Sequence, residues 1–211
     1  MTDRPILFSG EMVRAILDGR KTQTRRIVKP QPVAPLRFSI DRPAVGGSVA
    51  YFAYVDAGGV HHNELSAECR YGQPGDRLWV RESLERVDGD VAYKADGEFA
   101  WDLSQPCEWV WKRNTLPSIH CPRGLSRITL EVVAVRVERV QAISEADAIA
   151  EGLTPWRVRD GDTHYGIDRA DVWEKDPRLT YARLWDKING KRAPWPSNPW
   201  VWVVEFKRVF P

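Results

Sequence analysis

No stretch of the 211-residue chain approaches the roughly 18 consecutive apolar residues that would cross a bilayer as a helix. The opening segment MTDRPILFSGEMVRAILDGRK is charged and capped rather than signal-like, so a cytoplasmic location with no membrane partner is expected. Cysteine is scarce. Cys69, Cys107 and Cys121 form an odd set without a CxxC pair, which supports neither a disulfide framework nor a Cys-rich zinc site and predicts three reduced thiols. Histidine is scarce too: His61-His62 has no partner at metal-ligand spacing and His164 stands alone, so neither a metal nor a cofactor is expected. There is no internal repeat and no low-complexity tract. A net charge of only +2 argues against a strongly basic nucleic-acid coat.

What is present reads as a folded globular protein. Hydrophobic residues make up 43% and charged residues 28%, close to the usual balance for a chain with a real core. Of the 31 basic residues 23 are arginine, the better planar partner for phosphates and bases, although a GC-rich coding sequence gives the same excess. Ten tryptophans are many for this length. Trp79, Trp109, Trp111, Trp195, Trp200 and Trp202 sit in or beside strand patterns, where indoles can stack on unpaired bases or fill a core. Trp200 and Trp202 share a face and read as core; Trp109 and Trp111 share one that sequence leaves open.

Along the chain, Ile6–Ser9 reads as a short strand running into a helix capped by Ser9, with Met12, Val13, Ile16 and Leu17 on one face and Asp18-Gly19 as its stop. Arg20–Val28 is polar, β-branched and basic, a strand with a functional surface. Residues 31–70 form an excursion holding a hairpin around Val49–Val55 and the Gly58-Gly59 turn, which need not be core. Arg77–Ser83 alternates as a half-buried strand, and a strand pair is predicted from Val91–Lys94 and Glu108–Lys112 about the Asp96-Gly97 turn. Arg127–Val140 is the longest strand signal, long enough to bend across two sheets. Ser144–Gly152 is a capped short helix, 155–177 a loop-like insertion, Tyr181–Ile188 a second short helix stopped by Asn189-Gly190, and Trp200–Val209 a closing strand.

The order of these pieces resembles a known family. Ile6-Leu7-Phe8, the short helix and Asp18-Gly19-Arg20-Lys21-Thr22-Gln23-Thr24-Arg25-Arg26 are similar to the opening of ASCH domains, a group of PUA-like β-barrels associated with RNA. Pro74–Glu82, Pro117–Leu130, Ile143–Gly152 and Asn198–Trp202 follow in the family's order, and together they resemble its phage and prophage branch. The resemblance implies one α+β domain over residues 1–211, a small, mostly antiparallel PUA-like barrel with short helices over its openings and insertions at about 31–70 and 155–177. It also implies RNA or a modified nucleoside as partner; oligomeric state stays open.

One bacterial branch of the family hydrolyses N4-acetylcytidine with a Lys and a Thr from a Gly-x-Lys-Thr-x-Thr segment and a Glu from the helix after the long strand. Gly19-x-Lys21-Thr22-x-Thr24 and Glu151 match those positions, so the resemblance implies Lys21, Thr24 and Glu151 as catalytic residues. This chain is about twice as long as that branch, so its insertions could reshape the pocket. Amide hydrolysis needs a nucleophile, a base and help for the leaving amine, roles these three residues can fill if they converge. Lys21 serves as base only if burial lowers its pKa; exposed, it stays charged and holds phosphate. Strict alternation would place Lys21 and Thr24 on opposite strand faces, so a shared pocket requires a turn or bulge between them.

Bland readings stand beside each of these. Lys21 and Thr24 also suit an exposed edge strand, and Glu151 a helix-end carboxylate. His120, Arg123, Ser126 and Arg127 could line a pocket mouth or form a hydrogen-bonded turn. Arg81 could contact substrate or pair across strands with Glu82. Arg20, Arg25 and Arg26 complete the binding candidates. Two rivals to hydrolysis follow: a single-stranded RNA endoribonuclease, needing an open basic groove of Arg25, Arg26, Arg123 and Arg127, and a non-catalytic RNA-binding module.

Overall fold

The structure, a computed structural model, describes residues 2–32, 38–44, 47–55, 61–100, 109, 111–158, 161–167 and 173–209. In chain order its elements are β1 (Asp3–Leu7), α1 (Gly10–Leu17), β2 (Gln23–Ile27), β3 (Phe38–Ala44), β4 (Gly47–Val55), β5 (His61–Glu68), β6 (Arg77–Arg81), β7 (Leu84–Val87), β8 (Asp90–Tyr93), β9 (Thr115–Leu116), β10 (Thr129–Arg139), α2 (Glu145–Ala150), β11 (Thr154–Arg157), β12 (Thr163–Gly166), α3 (Pro177–Asn189) and β13 (Trp200–Val209). The protein is α+β, with mostly antiparallel strands and few short helices. No helix among the described residues is long and apolar enough to cross a membrane.

The central sheet has the order β1-β6-β10-β13-β2. β1 and β6 run parallel and every other neighbour is antiparallel. Among the described residues its edges are β1 and β2, with no ladder joining them. β10 and β13 are β-branched and aromatic, side chains that pack well on a pleated surface. They pair along almost their whole length, with one irregularity between Val132 and Ala134 that bends β10.

β13 explains why the sheet is covered on both sides. Val201, Trp202, Val203 and Val204 are all buried in succession, which period-two alternation allows only if each face meets a core. Trp202, Val204 and Phe206 pack with Ile6, Phe8, Val13, Leu78 and Leu130 on one face. Val201 and Val203 pack with Ala148, Tyr181, Leu184 and Trp185, beneath α2 and α3, on the other. Each such side chain withdrawn from water contributes about 1.5–3 kcal/mol.

Several segments differ from the sequence reading. The 31–70 excursion carries a three-stranded meander, β3-β4-β5, rather than a hairpin, and Ala50, Phe52, Ala67 and Cys69 enter the main core. Gly58-Gly59 lies outside the described residues. β8 pairs with β7, not with residues 108–112, of which 108 and 110 lie outside the described residues; Trp109 and Trp111 stand in no strand and meet edge-to-face at 5.0 Å. The 155–177 segment contains the β11-β12 hairpin. α3 begins one turn earlier than its apolar pattern, because Asp176 caps it and Pro177 occupies its first position.

Candidate functional site

The site forms where β2, an edge strand, meets the end of α2. α1 closes at Gly19, whose φ of +73° suits glycine, and the chain then turns back on itself: Arg20 and Lys21 both donate their backbone N–H to the Ala15 carbonyl. Lys21 forms an antiparallel bridge with Glu151, Thr22 donates to the Ala150 carbonyl, and only at Gln23 does the ladder with β13 begin. The pairing partner therefore changes between Lys21 and Gln23. Of Lys21 and Thr24, Thr24 borders the cavity described below and Lys21 does not.

Ser144 caps α2 by accepting from the Asp147 N–H at 3.1 Å, which fixes where the helix begins. Glu151 sits at that end, followed by Gly152 at φ +103°. The Lys21 ammonium donates to the Glu151 carbonyl at 2.7 Å and to its carboxylate Oε2 at 2.8 Å. Burial lowers the Lys21 pKa from its ordinary value, and the Glu151 carboxylate opposes that shift. Arg20 braces the same turn, donating to the Gly152 carbonyl at 2.8 Å and pairing with Asp18.

Among the described residues β2 pairs only with β13, opposing Thr24 to Val204, Arg25 to Val203 and Arg26 to Trp202. Thr24 and Arg26 therefore share one face of the sheet, and Arg25 takes the other. The Arg25 guanidinium, fully buried, donates to Glu151 Oε1 at 3.3 Å, to Asp147 at 3.0 Å and to Glu138, and lies 5.8 Å from the Tyr181 ring. Burial works against its charge, but Glu151, Tyr181 and Glu138 outweigh burial and raise its pKa. Arg136 extends the network to Glu138, Asp147 and Glu205. Burial, with Glu151 next, pushes the Tyr181 hydroxyl well above its ordinary value.

A cavity of about 630 Å³ wraps the edge of β2, within the roughly 300–1,000 Å³ usual for small-molecule sites. Four successive residues, Thr24 to Ile27, border it, because an edge strand offers both faces to the space beside it. Glu151, Tyr181, Trp185, Trp202, Phe8 and Tyr71 supply carboxylate and aromatic wall. Lys21 does not border it; its Nζ, held on Glu151, lies 5.5 Å from the centre of the Phe8 ring.

The remaining sequence candidates lie elsewhere. Ser126 donates from its hydroxyl to the Val80 carbonyl at 2.8 Å, and Arg81 donates to the Cys121 and Ile119 carbonyls rather than to Glu82. Arg127 takes Glu82 and Asp96 as partners and lies 3.9 Å over the Tyr93 ring. Arg123 faces Asp3 at 3.4 Å, and His120 is exposed at the end of a 3-10 turn. None of these five borders the cavity. Sequence reasoning missed Glu138, Asp147, Tyr181, Arg4 and Tyr71; alternation along 136–140 places Glu138 beside Arg136 but offers no sign that β2 lies across from them. Among the described residues no group of acidic, histidine and cysteine side chains has the makings of a metal site.

No family model matches the chain, and comparisons with curated proteins and with solved structures find no match either.

Proposed function

We propose that the protein is an ASCH-type, PUA-like hydrolase that cleaves the amide of an N-acylated cytidine-like base with Lys21, Thr24 and Glu151. The observation that carries this reading is a buried ammonium held on a carboxylate at 2.8 Å, with that carboxylate and Thr24 both bordering one aromatic-walled cavity. The base enters between the rings, and the Thr24 hydroxyl attacks the acyl carbon. Its proton passes to neutral Lys21, the form that burial makes more populated by lowering the Lys21 pKa, with Glu151 holding the ammonium that results. The same proton returns to the exocyclic nitrogen as the amine leaves, and water then releases the acyl group from Thr24.

The ribonuclease alternative has less support. Its groove needs Arg25, Arg26, Arg123 and Arg127 together, whereas Arg25 and Arg127 are held in ion pairs within separate clusters and Arg123 faces Asp3.

Acetylcytidine hydrolysis by wild type, Lys21→Arg and Thr24→Ala tests the proposal. Wild type is expected to release cytidine and acetate. Each variant is expected to lose at least about a hundredfold, Lys21→Arg because guanidinium does not give up its proton. Absence of hydrolysis of any acylated cytidine by wild type overturns the reading.

A further inference from the structure

The cavity wall away from Glu151 has a charge of its own. Arg4 from β1, Arg26 from β2, Lys29, and Arg70 beyond β5 border it together with Arg192, and the acidic side chains bordering it are Glu68 and Glu151. Glu151 is already matched by Lys21 and Arg25. Among the described residues none of those five cations forms an ion pair with a carboxylate. The imbalance therefore belongs to the cavity.

Two of the five have a guanidinium nitrogen without an acceptor among the described residues, and one of them is held in place. Arg26 donates one terminal nitrogen to the Leu7 carbonyl at 2.6 Å and lies 5.2 Å from the Phe8 ring centre and 5.7 Å from that of Tyr71, so its plane is set. The buried Nε of Arg26 and that of Arg4 have no hydrogen-bond partner among the described residues. A buried donor without an acceptor costs about 1–3 kcal/mol. Arg4, Arg26 and Arg70, bordering one cavity with no carboxylate partner among the described residues, suit a ligand with several anionic oxygens, which guanidinium forks bind with short charge-assisted bonds. Tyr71 and Phe8, against which Arg26 lies, also offer ring faces beside that position.

We infer that this wall, centred on Arg4, Arg26 and Arg70, is a phosphate subsite, and that the substrate is a cytidine-like nucleotide rather than a free nucleoside. The inference rests on the proposed reading and names its substrate class. The phosphate is that of a mononucleotide or of an RNA strand.

Affinity measured without turnover tests it. Cytidine, cytidine 5′-monophosphate and a short oligocytidylate are titrated by tryptophan fluorescence against wild type and an Arg4→Gln/Arg70→Gln variant, at low and high salt. The monophosphate is expected to bind wild type at least about tenfold more tightly than cytidine, with the preference shrinking in high salt and falling to within about twofold in the variant. An oligocytidylate tighter than the monophosphate assigns the phosphate to a strand; equal affinities assign it to the mononucleotide. Equal binding of cytidine and both phosphorylated probes by wild type overturns the inference, as does a preference that survives in the variant. Because no hydrolysis is involved, a phosphate preference without turnover sinks the hydrolase reading alone, while acetylcytidine turnover without a phosphate preference sinks the subsite alone.

Discussion

Lys21 and Glu151 are joined through backbone and side chain together: an antiparallel bridge sets their main chains side by side, and the ammonium, 0% exposed, closes on a carboxylate 3% exposed. A buried pair of this kind is weak evidence for stability, because desolvating two ions offsets most of their attraction. Burial lowers the Lys21 pKa, the direction that the proposed hydrolase reading requires of a lysine base.

The first prediction is a pH profile. If deprotonated Lys21 is the base, kcat/KM rises with pH along a limb below the ordinary lysine value of 10.5. The Glu151 carboxylate favours the ammonium, so Glu151→Gln lowers the Lys21 pKa further and moves that limb to lower pH, whatever it does to the maximum rate. A limb that stays in place or moves to higher pH rules out Lys21 as its source.

Gly152 makes a second test. A Cβ there would stand 2.9 Å from the Ala15 Cβ and 3.1 Å from the Lys21 Cβ, at a φ of +103° that side chains rarely adopt. Gly152→Ala is expected to cost about 2–3 kcal/mol and lower Tm by about 4–10 °C, with acetylcytidine turnover lost because Lys21 must move. A Tm within one degree of wild type would show that the turn absorbs a methyl group.

Arg127 offers the contrast. It holds Glu82, 1% exposed, at 2.8 Å, and burial already raises the Glu82 pKa. Arg127→Met strands that carboxylate and is expected to cost about 3–5 kcal/mol in urea denaturation, with nucleotide affinity unchanged because Arg127 lies outside the cavity. Loss of affinity at unchanged stability would return Arg127 to the binding site.

Cys69 predicts an alkaline effect. Burial pushes its thiol from 9.0 up to about 11, so the thiol stabilises the fold fully below pH 9 and that contribution fades as pH rises toward 11. Two pKa units correspond to about 3 kcal/mol. Cys69→Ala should flatten the fall in unfolding free energy between pH 9 and 11, leaving the decline from Tyr93 and Tyr181 above pH 10. Identical slopes would mean that the thiol titrates as in the unfolded chain.

Caps and β-branched runs made much of the fold legible. Ser144 and Gly152 bound α2 as their chemistry dictates, and β10 and β13 announce themselves by composition. The β11-β12 hairpin and the first turn of α3 did not, since Pro155, Gly161 and Pro177 read as loop when only local pattern is available. At the site, spacing and family resemblance pointed to Lys21 and Glu151. The fate of Arg25 was invisible: its partners Glu138 and Asp147 lie more than a hundred residues away, and residues 20–28 carry no trace of them.

Among the described residues β2 has one neighbouring strand in its sheet, and in chain order that neighbour comes last. Lys21 and Thr22 can meet Glu151 and Ala150 at the end of α2, but Thr24 and the rest of β2 wait for Trp200–Val209, whose Trp202 is itself part of the cavity wall. The cavity is therefore complete only once a strand nearly two hundred residues downstream has paired with β2, a contact of high sequence separation.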